Sequence, residues 1–388
     1  MAPAITADFP DTNFLSNNPP SKDSKQDDFL DLRNVAWAHS QEPANNFISD
    51  FYTKPTLPML EAIVRTTLGD GDNDEDTTTN SLQDYVSGLL GHEAALLVPT
   101  GTMGNQVALR TALGSPPHSI LVDYRGHIMH YEGGGPSGIC GTLTRTVVPS
   151  NGHHITLSDV QKFATVRRTM YDCPTTVIAL ENPMEGRILP ISDVRAISTW
   201  ARVQDPPIHM HLDGARLWEA VTAGACTLAE IGPYFDSLQV CFTKGLGAPI
   251  GSMVIGSKTF IERAKWARKM MGGGMRASGV VAAPARVAIE QTMFGGKLKK
   301  AQEKARRATD LWVELGGKLL DPTETNMVWL DVPGSGLNEE RFYSLAEQEY
   351  DLRLGGVMPY RLVFHYQITE EAVDRLCALF KRVFGERS

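Results

Sequence analysis

Residues 237–251 read SLQVCFTKGLGAPIG. Leu238–Phe242 is a short apolar run with the character of a buried strand. Lys244 leaves that strand and enters a turn rich in glycine. A lysine at such a place sheds part of its hydration and becomes a nucleophilic amine; the plainer reading is a lysine that snorkels to the surface beside a turn. Gly245 and Gly247 let the backbone approach a ligand closely.

Working outward, the same kind of run recurs. Ala94–Val98, Ser119–Asp123, Thr176–Leu180, Ile208–Leu212 and Ser252–Ile255 are all short and apolar, and helical stretches such as Ser192–Arg202 fall between several of them. Apolar strands alternating with helices predict an α/β fold with a mostly parallel sheet covered on both faces. Asn80 is placed to cap a helix with Leu82, Tyr85, Val86, Leu89 and Leu90 on one face and Gly91 as its stop. After Met271-Gly-Gly-Gly-Met275 the chain turns helical over Val281–Phe294, with Pro284 in the first turn, and again over Leu298–Leu315. A strand near Met327–Asp331 and a last helix at Glu370–Phe384 complete the reading. The expected division is a flexible arm over 1–45, a large domain over 46–290 and a small C-terminal α/β domain over 291–388.

Composition bounds the function. The chain has 388 residues, 42% hydrophobic and 21% charged, with a net charge of −8 and no long Lys/Arg run. That is an ordinary globular balance without the basic footprint that nucleic acid requires. No run of about 18 apolar residues is present. The first residues have neither the basic nor the apolar segment of a secretory leader. Five cysteines are scattered without CxxC spacing. They read as reduced thiols of a cytoplasmic protein, not a disulfide framework or zinc site.

Two further strand ends stand beside Lys244. Val98-Pro-Thr-Gly-Thr-Met-Gly-Asn105 follows a strand and opens a helix over Thr102–Ala112. Gly101 and Thr102 at a helix N-terminus suit a phosphate, though a turn that merely caps a helix looks the same. In His209-Met-His-Leu-Asp-Gly-Ala-Arg216, Asp213 is a lone carboxylate at the end of a buried strand and needs a partner. Arg216 is either an anion binder or the partner of Asp213. His209 and His211 share a strand face but lack a third ligand nearby, so no metal is expected. A phosphate cradle, a strand-end Asp and a strand-end Lys are together what pyridoxal phosphate requires.

One loop stands apart. Gly69–Asp76 reads GDGDNDED, five acids in eight residues. Asp70, Asp72 and Asp74 fit the start of a calcium loop, but Glu75 and Ser81 stand where the pattern needs Gly and Glu. Its acids are expected to be largely solvated.

The chain resembles the threonine aldolase (β-eliminating lyase) family of fold-type I pyridoxal-phosphate enzymes. The resemblance runs from about Ser49 to the C-terminus. It rests on SDFYTKPTLPMLEA, GHEAALLVPTGTMGNQVAL, GHIMHYEGGG, ALENPMEGRILP, HLDGARLWEA, FTKGLGAPIGSMVIG, MGGGMRASGVVAAP, TNMVWLDV and RLVFHYQIT, met in that order. It implies a seven-stranded, mostly parallel sheet in the large domain. It implies Lys244 as the Schiff-base lysine, Asp213 at the pyridine nitrogen, and Gly101, Thr102 and Thr243 at the phosphate, with Arg216 also beside the cofactor. It implies His127 stacked on the cofactor ring, and Ser49, Arg216 and Arg361 at the substrate carboxylate. Arg276 would lie near a subunit interface of a homodimer or homotetramer with shared active sites. The acidic loop then corresponds to a divergent active-site segment in which Asn73 and Thr77 replace a family tyrosine and proline. Tyr171 stands where aldolases often carry a second histidine.

These departures leave two activities open. One is cleavage of L-threonine, L-allo-threonine or a related β-hydroxy amino acid to glycine and an aldehyde, with His127 as the base on the β-hydroxyl. The alternative is an amino-acid racemase on the same fold, such as an alanine racemase. Lys244 would then serve one face of Cα, and Tyr171, His127 or a water the other.

Overall fold

The computed structural model describes Trp37, 42–356 and 358–386. Apart from Trp37 and Glu42–Asn45, the arm expected over 1–45 lies outside the described residues. Seven strands form one sheet: β1 Ala94–Val98, β2 Ser119–Asp123, β3 Leu143–Val147, β4 Thr175–Glu181, β5 His209–Gly214, β6 Ser237–Cys241 and β7 Ser252–Gly256. Their order is β1-β7-β6-β5-β4-β2-β3. The pairings from β6 through β5, β4 and β2 to β3 are parallel, and β7 is antiparallel to β6 and β1. Every residue of β2, β6 and β7 is buried, as a sheet covered on both faces demands.

β3 was not legible in the sequence. It reads LTRTV, pairs only with β2 at the sheet edge and buries just Val147 fully. An edge strand needs no continuous apolar run, so its pattern carried no signal.

A second, three-stranded antiparallel sheet has the order β10-β9-β8, from β8 Lys318–Asp321, β9 Met327–Asp331 and β10 Arg361–Val363. It packs with the helices Lys297–Glu314, Glu339–Gln348 and Glu370–Gly385 around Trp312, Phe342, Phe364 and Phe380. Trp312 meets Phe380 edge-on at 4.8 Å, a favoured aromatic geometry. This core is separate from the one that holds Leu121, Ile178, Leu212 and Leu238 beneath the large sheet. Phe47 belongs to the second core and meets Phe364 edge-on at 5.2 Å. Among the described residues, no helix is long and apolar enough to cross a membrane.

Two helix starts differ from expectation. The cap of the helix Thr77–Leu89 is Asp76, whose carboxylate accepts from Thr79 N at 2.8 Å, and not Asn80. Three threonines are poor helix formers, which hid the first turn, but Thr78 and Thr79 are buried against the core. Pro284 is the sixth residue of the helix Gly279–Ala288, not in its first turn. Val280, whose carbonyl loses a partner to that proline, is exposed.

The two halves meet behind the Lys244 turn. Gln302 Nε2, on the helix Lys297–Glu314, donates to Glu219 Oε2 at 2.7 Å and to the Glu219 carbonyl at 2.9 Å. Glu219 Oε1 packs so close to Gly245 that a Cβ there would come within 2.7 Å of it. Burial pushes the Glu219 carboxyl up to about 8, with Asp50 adding to the rise and Gln302 and Arg216 opposing it. The unfolded chain releases this proton near the ordinary carboxylate value. Stability is therefore full below that value and is lost as pH rises through about 8. In urea denaturation, Glu219→Gln is expected to remove part of the stability difference between about pH 5 and about pH 8, up to about 4 kcal/mol. An unchanged difference would assign the alkaline loss to other groups.

Candidate active site

A cavity of about 270 Å³ opens at the carboxyl ends of β5 and β6, where ligands of open α/β sheets bind. It is lined by Gly101, Thr102, Asn105, His127, Asp213, Thr243 and Lys244, among others. One wall is the N-terminus of the helix Gly101–Ala112. Thr100 caps it by accepting from Met103 N at 3.1 Å. The N–H groups of Gly101 and Thr102 have no partners among the described residues and are available to an anion. A Cβ at Gly101 would come within 2.7 Å of Cys241 Sγ. Only glycine lets the helix start sit this close to β6.

Lys244 has φ 47°, a left-handed conformation unusual for a side-chain-bearing residue. Strain of this kind costs about 1–3 kcal/mol and persists only where surroundings impose it. Thr53 Oγ1 imposes it in part by donating to the Lys244 carbonyl at 2.7 Å. Gly247, with φ 81°, closes the turn. Lys244 Nζ lies 3.5 Å from Cys241 Sγ. Among the described residues no carboxylate pairs with it, which leaves the amine available to a carbonyl.

The floor is a directed chain of hydrogen bonds. Asp213, 1% exposed, accepts from Asn105 Nδ2 at 2.7 Å and from Ala215 N at 3.1 Å. Asn105 Nδ2 also donates to Glu132 Oε1 at 2.7 Å. With its amide end committed to two carboxylates, Asn105 Oδ1 accepts from His211 Nε2 at 3.1 Å. His211 Nδ1 then accepts from Ser237 Oγ at 2.9 Å, and His209 Nε2 donates to the same oxygen at 2.8 Å. Burial lowers both histidines to about 4, so both are neutral and each ring carries one donor and one acceptor. The two histidines therefore serve the network and not a metal. His127 Nδ1 stands 2.9 Å from Glu132 Oε1, and its backbone N donates to Glu181 Oε2 at 2.9 Å. Glu181 lies opposite Asp213 in the β4–β5 register. Burial and the Asp213 charge raise it well above an ordinary carboxyl, against the pull of the His127 N–H, Lys244 and Arg216.

Beside the cavity, Arg216 grips Asp50 with two bonds of 2.8 and 2.6 Å. Its partner is therefore Asp50, not the neighbouring Asp213. Burial alone would raise the Asp50 carboxyl, but Arg216, Lys244 and Arg361 hold it down at about 2. Ser49 Oγ reaches Asp50 at 3.4 Å. Arg361, on β10, has a buried Nε without a partner among the described residues, and its guanidinium lies 5.9 Å from the centre of the Trp329 ring. Burial and the Arg216 charge lower its pKa. An arginine left unsatisfied in this way suits an incoming anion.

The structure thus brings Gly101, Thr102, His127, Asp213, Thr243 and Lys244 onto one cavity, with Ser49, Arg216 and Arg361 at its side. It does not bring Tyr171 there. Tyr171 is 86% exposed, in the loop that leads into the amino end of β4, while the site lies at the carboxyl ends of the strands. Within this chain it is no acid or base for the cavity. Nor do the acids of residues 69–76 line the cavity, and the expectation that they are largely solvated holds only for some: Asp74 and Glu75 are exposed, Asp70 and Asp72 half-buried and Asp76 buried. Asp72 accepts from Arg268 at 3.0 Å, Lys269 at 2.6 Å and Met275 N at 3.3 Å. Asp74 pairs with Lys265 at 2.7 Å, and Asp70 pairs with Arg276, whose carbonyl accepts from Gly71 N at 2.9 Å. The loop is stitched to the glycine run 272–274 and its flanks. Sequence reasoning gave no role to Asp50, Asn105, Glu132 or Glu181. Each is a polar residue within a quoted motif whose partner lies on another element, so no local spacing marks it.

The sequence profile of the family described as beta-eliminating lyase matches residues 46–334. Aldolase vrtJ of Penicillium aethiopicum is 48% identical over 340 residues, covering 88% of this chain and 86% of its own. Alanine racemase TOXG of Cochliobolus carbonum is 38% identical over 355 residues, covering 90% of each chain. A low-specificity L-threonine aldolase of Candida albicans is 38% identical over 335 residues, covering 86% of this chain and 88% of its own. The solved structure of Leishmania major threonine aldolase superposes with a TM-score of 0.76 at 20% identity, covering 87% of this chain and 99% of that one.

The Asp50–Arg216 pair makes a test. Asp50→Asn leaves the Arg216 guanidinium without its counter-charge and is expected to cost about 3–5 kcal/mol in urea denaturation near neutral pH. In the parent protein this contribution is present above the ordinary carboxylate range and is lost as pH falls through about 2. A loss well under about 1 kcal/mol, the scale of an exposed pair, would reduce it to a surface contact.

Proposed function

Since the chain belongs to the beta-eliminating lyase family, we propose that it is a pyridoxal-phosphate-dependent carbon–carbon lyase that cleaves L-threonine, L-allo-threonine or a related β-hydroxy amino acid to glycine and an aldehyde. The observation that carries this reading is one cavity lined by an anion cradle, the Asp213 carboxylate and the Lys244 amine, with which no carboxylate among the described residues pairs. That donor set fits the cofactor. The close approach of Cys241 to Gly101 shapes the cradle, and the unsatisfied Arg361 Nε fits a substrate carboxylate beside it. Gly101, Thr102 and Thr243 would hold the phosphate, Asp213 the ring nitrogen and Lys244 the carbonyl carbon, with His127 against the ring. When bound, pyridoxal phosphate supplies an electron sink for the charge left at Cα when a bond there breaks.

The chain's own groups choose the bond. Arg361, with Arg216 and Ser49 behind it, fixes the substrate carboxylate and so fixes the rotation about Cα. His127 Nε2 takes the proton from the β-hydroxyl as the Cα–Cβ bond opens. Lys244 Nζ returns a proton to Cα. Racemisation is the second reading, favoured by the likeness to an alanine racemase. It would use Lys244 on one face of Cα and His127 or a water on the other. A homodimer or homotetramer with shared sites is the proposed assembly, with Arg276 near the interface; light scattering tests it, and a monomer overturns it.

Proton NMR of the cofactor-loaded enzyme in D₂O decides between the activities. Glycine and acetaldehyde from L-allo-threonine, with L-alanine untouched, are expected. Accumulating D-alanine with deuterium at Cα and little cleavage would make the protein a racemase. Lys244→Ala is expected to abolish turnover and the absorbance of lysine-bound cofactor; full activity in it would sink both readings. Arg361→Ala is expected to raise KM for the amino acid by about tenfold or more, the scale of a charge-assisted contact, and an unchanged KM would remove Arg361 from the site.

A further inference from the structure

We propose that Glu132 is a positioning residue that holds His127 in the tautomer with its proton on Nδ1, so that Nε2 meets the substrate as a bare acceptor. The inference rests on the lyase reading, because a β-hydroxyl is the group whose proton Nε2 would take.

The Glu132 side chain is fully buried, against 34% exposure for that of His127. Three N–H groups converge on its carboxylate. Oε1 accepts from Asn105 Nδ2 at 2.7 Å and faces His127 Nδ1 at 2.9 Å. Oε2 accepts from Gln106 Nε2. Both amides are fixed from their far ends. Asn105 Oδ1 is taken by His211, and Gln106 Oε1 accepts from the Cys140 thiol at 3.5 Å. Neither amide can turn its oxygen toward Glu132 without breaking another bond. Gly135 makes room for this, since a Cβ there would lie within 2.5 Å of the Gln106 amide carbon. Surrounded by donors, Glu132 acts as an acceptor throughout, and His127 must present N–H at Nδ1. Among the described residues Nε2 has no partner. The backbone N of His127 is pinned separately by Glu181 at 2.9 Å, so the residue is anchored at its backbone and at Nδ1 where it lines the cavity.

The same Asn105 Nδ2 bonds Asp213 at 2.7 Å. The base and the carboxylate on the cavity floor are therefore held by one amide group. A carboxylate that orients a histidine and supports the charge it gains is a recurring device in hydrolytic triads, where the wrong tautomer costs about 10⁴-fold. Here it is assembled from a loop glutamate and a stacking histidine.

Two substitutions separate the role from mere packing. Glu132→Met keeps the side-chain length and removes the acceptor. Glu132→Gln keeps an oxygen, which faces His127 and Asn105 because the other orientation sets two donors against its amide. The first readout needs no cofactor: ¹⁵N NMR of histidine-labelled apoenzyme, with His127→Asn to assign the signal. Nε2 is expected to appear unprotonated and Nδ1 protonated in the parent and in Glu132→Gln, and the two tautomers to mix in Glu132→Met. The second is a pair of rates in the loaded enzyme. Cleavage of L-allo-threonine by Glu132→Met is expected to fall about a hundredfold or more, mostly in kcat, the scale of a lost general base. Deuteration of glycine at Cα needs Lys244 but no β-hydroxyl base, and is expected to stay within about threefold. Glu132→Gln is expected to recover most of the cleavage. An unchanged His127 tautomer in Glu132→Met, undiminished cleavage, or an equal fall in cleavage and glycine deuteration would each overturn the proposal. Failure of the parent enzyme to cleave any β-hydroxy amino acid would instead overturn the lyase reading, and with it the role given to Nε2, whatever the NMR shows of the tautomer.

Discussion

Asn105 Nδ2 sits between two buried carboxylates, 2.7 Å from Asp213 and 2.7 Å from Glu132. Neither acid is solvated, and two such charges side by side require donors on every free oxygen. Much of the site follows from meeting that demand. The amide needs its own oxygen satisfied, which places His211 beneath it. His211 needs a donor at its other nitrogen, which places Ser237 at the start of β6, and Ser237 draws in His209. The parallel register of β4, β5 and β6 makes the chain possible, because it sets Glu181, Asp213 and Gln239 side by side at the carboxyl ends.

A second demand shapes the other wall. Arg216 and Asp50 are joined from segments 166 residues apart, and Asp50 is drawn to the site by that charge. Beside it Arg361 reaches in from the small sheet with an unsatisfied Nε. Glu219 and Gln302 tie the same small half to the back of the Lys244 turn. A site composed this way is rigid where the chemistry needs a fixed floor, and it gathers its cationic corner from both halves. Preorganised charge of this kind is the largest contribution that a protein makes to such reactions.

The acidic loop shows how composition can mislead. Five acids in a row of eight suggest either cations or water. The fold supplies Arg268, Lys269, Arg276 and Lys265 instead, from the helix Lys258–Met270 and the glycine run after it. Thr77, where relatives of this pattern are expected to carry proline, occupies the first helical position after the Asp76 cap, the one place in a helix where proline is readily accepted. Tyr171 misleads in the opposite way. It stands where aldolases often carry a second histidine, but all of β4 separates it from the carboxyl ends of the strands, where the site lies.

By itself the sequence determined most of the strands and where several of them end. Short apolar runs punctuated by glycine predicted β1, β2, β4, β5, β6, β7 and β9, and the residues that follow three of them (Gly101 and Thr102, Asp213, and Thr243 with Lys244) were legible as a site. These signals are local: strand burial, helix starts and turn chemistry are written within a few neighbouring residues. Tertiary structure alone decided who partners whom. Asp50 for Arg216, Asn105 for Asp213 and Glu132 for His127 join different elements, and the exclusion of Tyr171 is likewise a matter of which end of its strand a loop lies at. A buried charge reports in sequence only that it needs a partner. The pairing register and the packing of separate elements choose that partner, because the energy that enforces the choice, the cost of an unsatisfied buried group, exists only once the chain has folded.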